Sequence, residues 1–127
     1  MTKRVLRLTS IAILSAVLWG CGSDGDGSGG GGTVVDDGSG VEVTGTSFSF
    51  DPAEIHVSAG DEVIIELTAR GTNHDFVVEE ADFKVAAERG ETSSATMSPL
   101  PEGIYAFYCS VPGHRKAGME GALIVGP

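Results

Sequence analysis

The stretch Tyr105–Val125 reads "YAFYCSVPGHRKAGMEGALIV". It begins and ends as strand: Tyr105 and Phe107 share one parity, and so do Leu123 and Val125. Alternation of this kind marks a strand with one face in a core. Between the two strands, Cys109, His114 and Met119 follow C-x4-H-x4-M spacing. Five residues fully extended cover roughly 17 Å, whereas two ligands of one metal ion, each bonded at about 2 Å, must lie within about 4 Å of each other. The chain therefore has to fold back between Cys109 and His114 if both are to reach one ion. Pro112 and Gly113 suit the central positions of a type II turn, and Gly118 gives a second flexible point before Met119. Cys109 shares parity with Tyr105 and Phe107, and Met119 with Gly121, Leu123 and Val125. Both sulfur atoms are thus expected to point inward from strand ends, with His114 arriving from the loop.

The same alternation runs outward from this stretch. Val41 and Val43 open a strand, and Phe48 and Phe50 follow on one parity. Ile55 and Val57 alternate, then Val63, Ile65 and Leu67, then Phe76 and Val78. Thr92–Met97 reads as a polar, threonine-containing strand. Turn signals separate these runs at Asp51-Pro52, Ala59-Gly60-Asp61, Arg70-Gly71-Thr72, Arg89-Gly90-Glu91 and Pro101-Glu102-Gly103. Seven or eight short strands at this spacing predict an all-β sandwich. Ala81–Glu88 is the one stretch that reads as a helical turn. His74 shares parity with Phe76 and Val78, which brings a second imidazole inward from a strand end. His56 has outward parity and reads as a surface residue; Met97 reads as core or edge.

Two imidazoles, one thiolate and one thioether form the trigonal His₂Cys set with a weak axial sulfur that suits copper in electron transfer. Cu(I) favours soft sulfur, and Cu(II) accepts imidazole nitrogen. A site that holds both in a geometry tolerable to each oxidation state needs little rearrangement when an electron passes. Four protein ligands leave no position for a substrate, which points to a carrier and away from a catalyst.

On these residues the chain resembles a cupredoxin, a type 1 blue copper protein of the plastocyanin/azurin superfamily. "GTNHDFVV" (71–78) is similar to the strand carrying the first histidine, and Tyr105–Val125 to the closing ligand loop and last strand. The loop spacing is closest to auracyanin- and sulfocyanin-like members. The resemblance covers most of 41–127 and implies a Greek-key β-sandwich with one copper ion near one end, held by His74, Cys109, His114 and Met119. It also implies electron exchange through the exposed edge of His114. The family usually carries Asn after the first histidine, tying the two ligand loops together; here that place holds Asp75. Asp75 is expected to accept a hydrogen bond from the Ser110 hydroxyl, its charge favouring Cu(II).

The N-terminus reads as a targeting segment. Lys3, Arg4 and Arg7 precede Leu8–Trp19, a mostly apolar run of twelve residues. A membrane span needs about 20, so the run suits the apolar region of a signal peptide. It ends in "LWGC" (18–21), which resembles the bacterial lipoprotein signal, with cleavage before Cys21 and lipid on its sulfur. The alternatives are a secretory signal without lipid, a retained anchor, or a Cys21–Cys109 disulfide; lipid on Cys21 would leave Cys109 as a lone thiol in need of burial or metal. The expected organisation is signal peptide 1–20, lipidated Cys21 with a Gly/Ser/Asp tether over 21–40, and the cupredoxin domain over 41–127. The protein is then exported, anchored at the outer face of the cytoplasmic membrane or in the periplasm.

The whole chain carries 8 Lys+Arg and 18 Asp+Glu. Losing Lys3, Arg4 and Arg7 leaves five cations against eighteen carboxylates, a net of −13. Such a domain repels nucleic acid and favours cationic partner surfaces. Arg115 and Lys116 flank His114; they are candidates for docking the copper end onto an anionic redox partner. No organic substrate is expected. A multicopper oxidase needs many histidines and a His-Cys-His run, but only three histidines are present and Cys109 is flanked by Tyr108 and Ser110. A binuclear copper centre needs a second cysteine where Gly113 stands. The remaining alternatives are a copper carrier or storage module, which would favour more methionine, and a metal-free adhesion sandwich, which leaves the ligand spacing without a purpose.

Overall fold

The computed structural model describes residues 33–127; the signal segment 1–20, Cys21 and the glycine-rich stretch up to 32 lie outside the described residues. No helix among the described residues is long and apolar enough to cross a membrane. The fold is all-β. Its strands are β1 (Thr33–Val35), β2 (Val41–Thr46), β3 (Ser49–Asp51), β4 (Glu54–Ser58), β5 (Val63–Ala69), β6 (His74–Val78), β7 (Phe83–Ala87), β8 (Thr92–Met97), β9 (Gly103–Tyr108) and β10 (Glu120–Gly126). Two short 3₁₀ turns, Glu79–Ala81 and Arg115–Ala117, complete the described elements.

The strands form two sheets, one of six in the order β1-β4-β10-β9-β6-β7 and one of four in the order β3-β2-β5-β8. The apolar residues of each strand fall on the facing surfaces because alternate side chains point to opposite sides of a sheet. Val41, Ile55, Ile65, Leu67, Phe76, Phe107 and Leu123 are fully buried between the layers. An aromatic cluster anchors the site end of the core. Phe76 and Phe107 stack with centroids 4.5 Å apart, and Phe50 meets Phe107 edge-on at 5.3 Å. Such pairs contribute about 0.5–1.5 kcal/mol each beyond the area they bury.

Three local expectations are corrected. Ala81–Glu88 is mostly strand rather than helical turn. Phe83, Val85 and Ala87 point inward while Lys84 and Ala86 face out, and β7 pairs with β6 across the full register His74↔Ala87 to Val78↔Phe83. That pairing satisfies backbone groups which a single helical turn would leave open. Phe48 does not share a face with Phe50. Ser47 and Phe48 connect β2 to β3, whose pairing starts at Thr46↔Ser49; Phe48 takes φ 62 and is half exposed. Finally, the stretch read as tether includes a strand, for Thr33–Val35 pairs in parallel with Glu54–His56 of β4. All three of its residues are β-branched, the type favoured in strands.

Register places the ends that matter together. β9 and β10 are antiparallel with Tyr108 opposite Glu120, so the residues just beyond, Cys109 and Met119, face each other. β6 runs antiparallel to β9 with Val77 opposite Tyr108, which sets the start of β6, at His74, at the same end of the sandwich.

Candidate metal centre

The loop closes as its glycines require. The His114 amide donates to the Val111 carbonyl at 3.0 Å with Gly113 at φ 84, the pattern of a type II turn over Pro112-Gly113. The Met119 amide donates to His114 O at 3.1 Å, and the Cys109 amide to Met119 O at 3.1 Å. These bonds tie the three loop residues to one another. Cys109 and Met119 are fully buried, and His114 keeps 9% of its surface exposed.

His74, Cys109 and His114 bring one ligand atom each to within 4.8 Å of one another. The Cys109 Sγ lies 3.5 Å from His114 Nδ1, and the two imidazoles sit with centroids 5.2 Å apart. His74 Nε2 is 3.1 Å from the Arg70 carbonyl oxygen. A carbonyl only accepts, so Nε2 carries the proton and Nδ1 presents a lone pair. That Nδ1 is the one buried side-chain nitrogen or oxygen among the described residues with no hydrogen-bond partner. An orphaned acceptor beside a thiol and a second imidazole is what a metal would satisfy. Burial pushes the His74 imidazole below its ordinary value, which keeps it neutral and ready to ligate. Burial likewise pushes the Cys109 thiol up, so its proton leaves only when a cation replaces it. From the opposite sheet, Gly45 backs the ring of His74: a Cβ there would stand 3.0 Å from His74 Cγ.

A family model of copper-binding proteins, the plastocyanin/azurin family, matches residues 39–126. The chain belongs to this family. It is therefore a cupredoxin, and His74, Cys109, His114 and Met119 form the arrangement of a type 1 copper site. Halocyanin from Natronomonas pharaonis is 38% identical over 91 residues, which cover 67% of this chain and 55% of that protein; the chain thus spans about half the length of the curated relative it matches. Two solved structures share the fold. Auracyanin A, a blue copper protein from Chloroflexus aurantiacus, superposes with a TM-score of 0.60 at 24% identity, covering 75% of this chain and all of that one. The metal-binding domain of the Cu(I)-exporting P-type ATPase CopA from Streptococcus pneumoniae D39 superposes with a TM-score of 0.62 at 16% identity, covering 78% of this chain and all of that one.

Around the ligands, this cupredoxin has features of its own. The Asp75 carboxylate receives hydrogen bonds from both the Ser110 amide and the Ser110 hydroxyl. It thereby ties β6 to the start of the ligand loop, and it is 4% exposed. Lys84, on β7, completes the cluster, with Nζ 3.0 Å from Asp75 Oδ2 and 3.2 Å from Ser110 Oγ. Burial alone would raise the Asp75 carboxyl, but the Ser110 bonds and the Lys84 ammonium together hold it below the usual carboxylate range. Sequence reasoning missed Lys84 because its strand was read as a helical turn; the alternation of Phe83, Val85 and Ala87 was the signal. It missed Phe48 too, whose ring meets His114 edge-on at 5.3 Å and 88°.

Arg115 and Lys116 differ. The Arg115 guanidinium lies 3.9 Å from the Tyr108 ring centroid, and its Nε is 3.3 Å from Glu120 Oε2. Tyr108 in turn donates to Glu79 at 2.6 Å. Lys116 is exposed and makes no ion pair among the described residues. His56 is a half-buried surface residue 2.8 Å from Glu54, and Met97 is core.

Proposed function

We infer that the protein is an extracytoplasmic, membrane-tethered one-electron carrier. The observation that supports this best is the unpaired, buried His74 Nδ1 facing Cys109 and His114. It fits a single ion held by protein atoms alone, with Met119 buried beside the cluster. Bound copper supplies Cu(I)/Cu(II) exchange. The chain's residues hold the ligands still through the Arg70 carbonyl, the Asp75–Ser110 bonds and the loop amides, so that little moves when charge changes. His114, with Phe48 and the exposed Pro112 and Gly113 about it, offers the contact face to redox partners. Cleavage before Cys21, lipid on that cysteine, and a domain beyond the glycine-rich stretch complete the reading.

The test is an absorption spectrum of oxidised, copper-loaded protein with a redox titration on the same sample. An intense visible thiolate-to-copper band and a reversible one-electron couple are expected. A colourless copper complex would instead favour the copper carrier or storage reading.

Asp75 and Lys84 set opposing charges beside the site. Through an effective dielectric of about 20, a unit charge near the ion acts with roughly 2 kcal/mol, or roughly 90 mV for a one-electron couple. Asp75→Asn keeps a hydrogen-bonding group at Ser110, removes the negative charge and leaves Lys84 unopposed. We expect voltammetry to record a rise in potential of several tens of millivolts, up to about 90 mV; no change, or a fall, would refute the charge argument.

Lys116 carries the docking role better than Arg115, whose charge is already engaged by Glu120. Lys116→Glu should slow oxidation by ferricyanide, an anionic probe, by about threefold at low salt, and Arg115→Glu by less. Stopped-flow rates independent of both changes and of ionic strength would remove both residues from the docking surface.

A further inference from the structure

The direction of β1 fixes where the chain joins the domain. β1 runs parallel to β4, and β4 parallel to β10, in the register Thr33↔Glu54↔Ala122 and Val35↔His56↔Ile124. The Asp36 amide continues the pairing, donating to the His56 carbonyl at 3.1 Å. β10 starts at Glu120, directly after Met119. Thr33 therefore stands at the metal end of the six-stranded sheet, and the chain before it arrives at that end.

Without β1 the attachment would lie at the other end. β2 runs from Val41 toward Gly45, and Gly45 is the residue that backs His74, so Val41 is remote from the metal. Five steps of about 3.3 Å from Val41 to Thr46 put about 17 Å between these two ends. A tether ending at Val41 would let the metal end point away from the bilayer. β1 and the turn at Asp36–Gly40, in which the Asp36 carboxylate accepts from the Gly38 amide at 2.8 Å, carry the attachment back along the sheet.

We propose that β1 is an orientation device: it returns the lipid tether to the metal end, so that the face around His114 is presented to a redox partner embedded in the same membrane. This rests on the reading of Cys21 as the lipid-bearing residue. From Cys21 to Thr33 there are twelve residue steps. Covalent geometry limits their reach to no more than about 40 Å. Held this close, the face stays near the bilayer surface where a membrane-embedded partner meets it, whereas a partner diffusing freely above the bilayer gains much less. The rim of the face, with half-exposed Phe48 beside exposed Pro112 and Gly113 and the Lys116 cation, suits a partner surface with an apolar centre and anionic edge.

The test uses the full, lipid-modified protein, kept reduced, in phosphatidylcholine vesicles containing a trace of rhodamine-headgroup lipid. A donor dye is attached through Lys116→Cys at the metal end, or through Ser58→Cys at the far end of β4. Energy transfer from the Lys116 position should exceed that from the Ser58 position at least twofold. Adding Val34→Pro with Asp36→Pro, which removes amide donors facing β4, should bring the ratio to one or below. Flotation on the same samples separates the two ideas. A protein that fails to float with vesicles sinks the lipid reading and this proposal with it. A protein that floats but shows equal transfer from both positions, or more from Ser58, overturns the orientation alone. A ratio unchanged by the prolines overturns the role of β1.

Discussion

Gly121→Ala should lower the stability of the domain by about 3 kcal/mol, at the upper end of what overpacking costs. Gly121 lies on β10 with its missing side chain aimed inward, on the parity of Met119 and Leu123. A Cβ there would fall 2.6 Å from Phe107 Cε2 and closer still to Phe107 Cζ and the Ala53 carbonyl oxygen. Neither neighbour can yield cheaply. Phe107 is stacked on Phe76 and edged by Phe50. The Ala53 carbonyl accepts the Ala122 amide at 3.0 Å, so moving it disturbs the junction of β4 with β10. For a domain of this size each kcal/mol is worth about 4–8 °C, and thermal melts of the copper-free protein should fall by roughly 15 °C. Gly126→Ala is the control, since a Cβ at Gly126 meets nothing and the melt should move by less than about 3 °C. Equal melts for the two variants would mean that β10 does not pack as described.

Cys109→Ser should abolish the visible band of the oxidised copper protein and weaken Cu(I) binding by at least about 100-fold, because a soft thiolate is replaced by a hard hydroxyl. Cys109 is the free thiol of the described residues and is fully buried. The substitution is nearly isosteric, and the new hydroxyl keeps a potential partner in His114 Nδ1, which lies 3.5 Å from the sulfur. The fold should therefore survive, with a far-ultraviolet spectrum like that of the parent. The measurements are the visible spectrum and competition with a Cu(I) chelator. A retained band would show that sulfur is not the source of the colour and would end the type 1 assignment.

The part of the fold legible in the sequence is what period-two alternation encodes. The strands carrying Val63, Ile65 and Leu67, or Phe76 and Val78, have one apolar face and need no tertiary knowledge to place. The inward parity of His74, Cys109 and Met119 followed from the same count, and the Pro112-Gly113 turn from backbone preference. What escaped was contact between segments distant in sequence. Lys84 reaches Asp75 only because β7 pairs with β6, and no local pattern states that pairing. Phe48 broke its alternation because hairpin closure outranked parity. β1 is itself the edge strand and pairs with β4, some twenty residues away, and the glycine-rich context around it hid three β-branched residues.

Gly45 belongs to the four-stranded sheet, yet it stands against the imidazole of His74, which belongs to the six-stranded one. The first histidine is thus clamped across the seam of the sandwich instead of within a single layer. Any slippage of one layer over the other must push that ring. The fit between the two layers and the placing of the first ligand are thereby one and the same contact, and Phe50, which pairs opposite Gly45, belongs to both.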